Sequence, residues 1–310
     1  MDLRLLPVRE VTSPMPLLSL LQFITNHPVN RNRKLDSLVR FAKWQISSRL
    51  APGAIVFEWI NGSRFLVRNG DTGLTGNIYT GLHEFDDMGY LLHVLRPDDL
   101  FIDIGANLGS YTILACAAIG ARGYAFEPVP STFARLVDNI RLNNIEDRVA
   151  ALNLGLAHEE GIAKFTTDLD TVNHVASVNG EQANTIAIKV TTLDLALGDV
   201  SPGLIKIDVE GYETQVLQGA VRTLCNDNLH SVIMELNGSG ERYGFAESRI
   251  LSKMLNIGFK TFSYDPLSRS LTNLKGKNLE AGNTLFIRNE SLVQERLRSA
   301  PEIKVLGIVI

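Results

Sequence analysis

The stretch Leu100-Phe101-Ile102-Asp103-Ile104-Gly105-Ala106-Asn107-Leu108-Gly109-Ser110 decides how this chain reads. Its first five residues form the short, nearly continuous apolar run of a strand buried on both faces. Two glycines follow, which let the backbone turn sharply and approach a ligand closely. A helix over Tyr111 to Ile119 begins at once. Its N-terminus offers free N–H groups and a positive dipole end to an anion. The dinucleotide fingerprint needs a second glycine two residues after the first. Asn107 stands there instead, which speaks against a pyrophosphate and so against a nicotinamide-dependent oxidoreductase.

Outward from this loop the pattern repeats. A strand over Gly123 to Phe126 ends in Phe126-Glu127-Pro128, and Glu127 lies 22 residues past Gly105. An acidic residue at that distance can take both hydroxyls of a ribose. A helix over Ser131 to Leu142 and a strand over Val149 to Leu154 follow. The segment Gly161 to Val190 breaks the rhythm with two edge-like strands, Ala163–Thr167 and Ile186–Thr191. The polar loop between them carries Asn173, His174, Ser177 and Asn179. The rhythm resumes with the strand Leu204–Ile207, a helix over Glu213 to Leu224, the strand Ser231–Leu236, a helix over Glu247 to Asn256, and strands at Phe259–Tyr264 and Thr284–Arg288. Strands alternating with helices of this length indicate a parallel sheet with crossover helices.

A third signal is Ile205-Lys206-Ile207-Asp208-Val209-Glu210-Gly211-Tyr212-Glu213. Three acidic groups leave a buried strand at its carboxyl end, where ligands bind in open α/β sheets. Asp208 as a cap and Glu213 as an early-helix charge are the structural alternatives.

Upstream, Leu17–Thr25 and Leu35–Leu50 have helical periodicity, the second through Leu35, Leu38, Val39, Ala42 and Ile46. Ala54–Ile60 and Arg64–Arg68 around Asn61-Gly62 read as a hairpin. Asn69 to Gly81, rich in Gly, Thr and Asn, reads as a loop, and Glu84 to Leu95 as a helix ending before Pro97. Downstream, a charged helix from Glu290 precedes Ile303–Ile310, an apolar end that needs a partner surface. The boundaries are drawn at 1–80 (helical and hairpin extension), 81–290 (main domain) and 291–310 (tail).

Composition narrows the function classes. The chain has 310 residues, 45% of them apolar and 21% charged, enough for a large core. Thirty basic against 34 acidic residues give a net charge of −4, so a nucleic-acid partner is not expected. The short run Arg31-Asn32-Arg33-Lys34 reads as a solvated helix start. Two cysteines, Cys116 and Cys225, make no disulfide framework, and their apolar neighbours suggest buried thiols. No Cys/His cluster has zinc spacing, so no metal is expected. No run reaches the ~18 apolar residues of a membrane span, and the N-terminus does not read as a signal peptide. A cytoplasmic protein is expected.

The set DIGANLGSYT, AFEP, LIKIDVEGYE and the late strand Gly282 to Arg288, with Thr192-Leu193-Asp194 before the fourth core strand, resembles the FkbM family of S-adenosylmethionine-dependent methyltransferases. The resemblance spans about residues 80 to 290. It implies a Rossmann-like class I methyltransferase fold: an α/β sheet of seven strands, mostly parallel, with the last antiparallel. It further implies that Asp103, Gly105, Ala106, Asn107, Gly109 and Ser110 surround the methionine moiety of S-adenosylmethionine. Glu127, with Pro128 beside it, would hold the ribose. Asn153 to Leu156, including Gly155, would border the adenine, and Asp208 and Glu210 would lie near the methyl group. The implied acceptor is a hydroxyl on a saccharide, polyketide or other small metabolite. A base for that hydroxyl is expected among Asp208, Glu210 and His174, and His83-Glu84 invites the same thought. The loops Ala54–Gly81 and Asp170–Gly180 are expected on the acceptor side. A cofactor-binding protein without catalysis is the alternative.

Overall fold

The computed structural model describes residues 16–166, 174–175 and 184–310. Its chain opens with helices α1 (Leu17–Asn26) and α2 (Lys34–Leu50), then the hairpin β1 (Ile55–Glu58) and β2 (Arg64–Val67). Helices α3 (Thr72–Thr80) and α4 (Phe85–Val94) lead into β3 (Leu100–Ile104). Next come α5 (Ser110–Ile113), continued by a π-helical stretch Leu114–Ile119, then β4 (Arg122–Phe126), α6 (Pro130–Leu142) and β5 (Val149–Leu152). Strands β6 (Gly155–Leu156), β7 (Gly161–Thr166) and β8 (Thr185–Thr191) precede α7 (Leu193–Leu197) and β9 (Leu204–Ile207). Helices α8 (Glu213–Gln218) and α9 (Val221–Leu224) lead to β10 (Ser231–Glu235), α10 (Glu247–Asn256), β11 (Lys260–Asp265), β12 (Ser270–Asn273) and β13 (Asn283–Ile287). Helix α11 (Glu290–Arg298) and the short strands β14 (Lys304–Val305) and β15 (Ile308–Val309) close the chain.

The main sheet runs β12-β11-β13-β10-β9-β3-β4-β5. From β10 to β5 neighbouring strands are parallel, and β13 pairs antiparallel with both β10 and β11. This is the expected α/β sheet with an antiparallel last strand, plus an eighth strand, β12. It turns back from β11 through Asp265, whose carboxylate accepts from the Leu267 N–H (3.0 Å) and the Ser268 hydroxyl (2.6 Å). Its sequence Ser-Leu-Thr-Asn is short, polar and mostly exposed, so it carries no core pattern. A separate three-stranded sheet, β6-β8-β7, fills the segment where the rhythm breaks.

Three sequence expectations need correction, and one helix presents a face that its periodicity did not mark. Asn69–Gly81 is not a loop but mostly α3. Leu74, Ile78 and Tyr79 are buried in one apolar cluster, which outweighs the low helix propensity of its two glycines. The Asp71 carbonyl accepts from Leu74 and Thr75, and its carboxylate is held by Arg135 of α6. The helix expected over Glu213 to Leu224 is broken into α8 and α9 at Gly219. A Cβ there would stand 2.1 Å from the Ala157 carbonyl oxygen, so that backbone crosses too closely for any other residue. Cys225 is exposed, whereas Cys116 is buried as expected. Finally, the periodicity that marks α2 does not mark its buried face: Ser37, Trp44 and Ser48 face the protein, and Leu35, Val39 and Ile46 face solvent.

The apolar end finds its surface in the chain itself. Ile303 and Ile310 exchange backbone hydrogen bonds at 3.2 and 3.0 Å, and Ile303, Val305 and Ile310 join the same core cluster as α4 and Ile60. That cluster crosses both the 80/81 and the 290/291 boundaries drawn from sequence. Among the described residues no helix is long and apolar enough to cross a membrane.

Candidate active site

The parallel strands β3, β4, β9 and β10 all end at one edge of the sheet, and a cavity of about 610 Å³ opens beyond those ends. At the end of β3, Gly105 and Ala106 donate backbone N–H groups to the Phe126 carbonyl at 3.0 and 2.9 Å. Gly105, Asn107 and Gly109 all take positive φ, so the loop coils tightly before α5 begins. Asp103 is buried below it, with its carboxylate accepting from the Thr112 hydroxyl at 2.6 Å. Burial pushes its pKa up to about 6.

Glu127 sits at the end of β4 and spans the loop. Its Oε2 accepts from the Asn107 N–H at 3.0 Å and its Oε1 from the Val129 N–H at 2.9 Å. Burial nonetheless raises its pKa to about 7. Each oxygen keeps a lone pair for a ligand. Asn153 donates to the carbonyls of Glu127 and Pro128 at 2.8 and 2.9 Å, bracing the turn from behind.

Strand β9 brings the charged groups. Lys206 is buried, lies 4.7 Å from the centre of the Tyr111 ring and donates to Asp208 at 2.7 Å. Burial alone would lower its pKa, but Asp208 and Glu84 outweigh that and raise it, so it stays charged. Glu210, in the left-handed region at φ 53°, has a pKa raised to about 8 by burial and by the charges of Asp208 and Glu213. Glu213 accepts from the backbone N–H groups of Gly211 (3.1 Å) and Val209 (3.3 Å), which fixes the turn after β9.

Two neighbours were not singled out from sequence. Glu235 ends β10, next to β9, and its Oε2 is buried without a hydrogen-bond partner among the described residues. Burial and the charges of Asp208 and Glu210 push its pKa to about 10. One carboxylate oxygen from each of Asp208, Glu210 and Glu235 lies within 4.8 Å of the other two. That spacing can share protons or hold a divalent cation. The second neighbour is Lys206, a lysine inside the otherwise apolar strand β9.

Of the residues expected around the cofactor, Asp103, Gly105, Ala106, Asn107, Ser110, Glu127, Pro128, Gly155 and Asp208 line this one cavity, and Gly109 lies in the loop without lining it. Of the candidate bases, Asp208 and Glu210 line it and His174 does not. His174 is buried, and its backbone N–H and carbonyl bond Thr166 at the end of β7. The rest of the loop 170–180, apart from Val175, lies outside the described residues. His83 and Glu84 line the cavity. Glu84 accepts from the Tyr111 hydroxyl and from Asn283, both at 2.8 Å, and burial keeps the His83 imidazole below its ordinary pKa. The hairpin Ile55–Val67 contributes nothing to the lining, but α1 and α3 do, through Leu20, Phe23 and Gly73 to Gly76.

A family model for the methyltransferase FkbM domain matches residues 103–261, just over half of the chain. The chain belongs to the FkbM methyltransferase family. This family depends on S-adenosylmethionine. The chain is 32% identical over 155 residues to a hexuronic acid methyltransferase of Haloferax volcanii, covering 50% of this chain and 62% of that protein. It is 28% identical over 173 residues to the 31-O-demethyl-FK506 methyltransferase of Streptomyces tacrolimicus, covering 44% and 65%. The chain therefore spans just under two thirds of each of these relatives. A crystal structure of an FkbM methyltransferase from Methylobacillus flagellatus aligns with a TM-score of 0.42 at 16% identity, covering 62% of this chain and 44% of that one.

Proposed function

We propose that this FkbM-family protein transfers a methyl group from S-adenosylmethionine to a hydroxyl of a saccharide or another small molecule. The observation that carries the reading is the shared cavity: the glycine loop, Glu127 and the carboxylates after β9 and β10 all face one space. Among the described lining residues, six are Asp or Glu and Lys206 is the only Lys or Arg. Such a wall suits a sulfonium, which carries positive charge. Its volume, about 610 Å³, falls within the usual range for small-molecule sites.

When bound, S-adenosylmethionine supplies an electrophilic methyl group. Glu127 holds the two ribose hydroxyls on its remaining lone pairs. The loop Gly105 to Gly109 receives the methionine end, and Leu154 to Leu156, with Gly155 between them, flank the base. Asp208 takes the acceptor's proton within hydrogen-bond reach. Lys206, donating to one of its oxygens, fixes that carboxylate. Glu210 and Glu235, whose pKa values burial raises to about 8 and 10, keep the trio from accumulating three negative charges. The apolar lining residues Leu20, Phe23, Leu74 and Met88 exclude water and hold the reactants in line.

The test is a methyl-transfer assay over a panel of uronic acids, neutral saccharides and hydroxylated macrolides, with Asp208→Asn as the control. Product with at least one acceptor class, lost in the variant, supports the reading. Binding of S-adenosylhomocysteine without transfer to any acceptor would favour a silent binding protein. Binding of NAD in its place would overturn both.

A further inference from the structure

Helix α2 carries an apolar stripe that faces away from the protein. At 100° per residue, Leu35, Leu38, Val39, Ala42, Ile46 and Leu50 fall on one side of the helix and Ser37, Phe41, Trp44 and Ser48 on the other. The second side is the docked one. Trp44 is buried in the cluster that holds Leu74 and Ile78. Arg40 donates to the Tyr79 carbonyl and to Asn30 at 2.8 and 2.7 Å, and Gln45 donates to the Tyr79 hydroxyl at 2.8 Å. These bonds set the rotation of the helix, so the stripe points outward by construction. Leu35 is 74% exposed, Ile46 61% and Leu50 79%. A contiguous apolar surface of this kind marks an interaction site. The helix has 17 residues and is about 25 Å long, so the stripe is a face and not a spot.

The charges beside the stripe say what covers it. Between residues 27 and 50 the chain has six Lys or Arg and one Asp, a local excess of +5 in a chain of net charge −4. Lys43 borders the stripe on one side, Arg49 lies within its other margin between Leu38 and Ala42, and Arg31, Arg33 and Lys34 are exposed at the head of the helix. Asp36 is the one acid among them. A second copy of this chain pairing through the same face would set one basic rim against another, because a two-fold interface uses the same patch twice. An anionic membrane surface complements both the apolar stripe and its rim. Helix α1, which packs on α2, extends the face with Leu17 and Leu18, both mostly exposed.

We infer that α2 is a peripheral membrane-docking helix, which seats its Leu35–Leu50 stripe in the headgroup region of an anionic bilayer. The inference stands whether or not the methyl-transfer reading holds, since none of the six stripe residues lines the cavity. Its geometry nonetheless links the two. The inner side of α2 packs on α1 and α3, and both line the cavity, so a docked protein holds its cavity wall one helix layer from the lipid.

The experiment is co-sedimentation of the full chain with phosphatidylcholine vesicles containing 0 or about 30% phosphatidylglycerol, alongside sedimentation equilibrium without lipid. Expected are a monomer in solution, partition to the anionic vesicles only, and at least tenfold weaker partition in 0.5 M NaCl. Lys43→Glu/Arg49→Glu should weaken partition at least tenfold. Val39→Glu/Ile46→Glu should abolish it, with an unchanged melting temperature because both residues are exposed. Failure to partition overturns the proposal. So does partition that ignores the Val39→Glu/Ile46→Glu pair, and so does a dimer that this pair dissociates.

Discussion

The carbonyl oxygen of Asp208 occupies the place that a side chain on residue 105 would need: a Cβ built on Gly105 would stand 1.8 Å from it. The loop after β3 and the turn after β9 are thus in backbone contact, and the contact exists only because residue 105 is glycine. Its φ of 79° adds a second demand for glycine.

Gly105→Ala should therefore push the two loops apart. The overpacking and the left-handed conformation together should cost about 2–4 kcal/mol in stability. Affinity for S-adenosylhomocysteine, read by calorimetry, should drop at least tenfold in the fraction that folds. A folded variant that binds as tightly as the parent would show that the loop does not touch the cofactor.

Glu127→Gln keeps the shape of the side chain but loses a charge-assisted acceptor. The expected cost is about 1.5–3 kcal/mol, or ten- to a hundredfold in affinity. The pH dependence has a definite sign. The ionised form is the acceptor, and the pKa lies at about 7. Affinity of the parent should therefore fall as pH drops from 8 to 6, and affinity of the Gln variant should stay flat over that range. Parallel profiles would remove Glu127 from the ribose.

Glu235→Gln should make the protein more stable at pH 8. The folded-state pKa, about 10, lies above the unfolded value of 4.5. The unfolded chain thus releases this proton first, and the folded state loses stability as pH rises from 4.5 towards 10. Glutamine removes that loss. A gain of at least ~1 kcal/mol, roughly 1–2 °C in Tm for a chain of this length, is expected at pH 8, shrinking towards zero at pH 5. Equal gains at both pH values would mean that Glu235 is ionised in the folded protein.

Transfer activity should survive excess EDTA. Lys206 already neutralises Asp208 at 2.7 Å, and Glu210 and Glu235 hold their protons up to about pH 8 and 10. The trio is thus a weak ligand set at neutral pH. Activity lost on chelation and restored by Mg²⁺ would make it a metal centre.

One thiol should react with an aromatic disulfide in the native protein and the other only on unfolding. Cys225 is exposed. Cys116 is buried, and its pKa is pushed up to about 12 by burial and the nearby Asp103. Two fast equivalents, or none, would contradict this assignment.

The glycine-loop side of the cavity was legible because its signals are local. Gly105 marks a turn that only glycine suits, and Glu127 at the end of β4 and Asp208 after β9 each place an acid directly after an apolar strand. Glu235 gave no such mark. It is one acid after Val232-Ile233-Met234, and it matters only because β10 pairs with β9 in a register that sets Met234 beside Ile207. No local pattern encodes that register. Helix α3 was missed for a related reason: Gly73 and Gly76 read as loop residues, and only the tertiary burial of Leu74, Ile78 and Tyr79 makes them helical. Strand β12 was missed because an exposed edge strand needs no apolar alternation. For α2 the sequence showed the helix and its stripe, but not which side the core would take.

The insertion of β13 between β10 and β11 sets an order for assembly. Among the described residues, β11 pairs with the rest of the sheet only through β13, which lies 18 residues further along the chain. During synthesis, β10 leaves its outer edge open until residues 283–287 emerge, and until then the hairpin β11–β12 can pack on α4 but cannot pair with the sheet. The last core strand is therefore the keystone, and an exposed strand edge is the hazard while it is missing. Pulse-labelled hydrogen exchange during refolding should find the amides of β11 protected no earlier than those of β13.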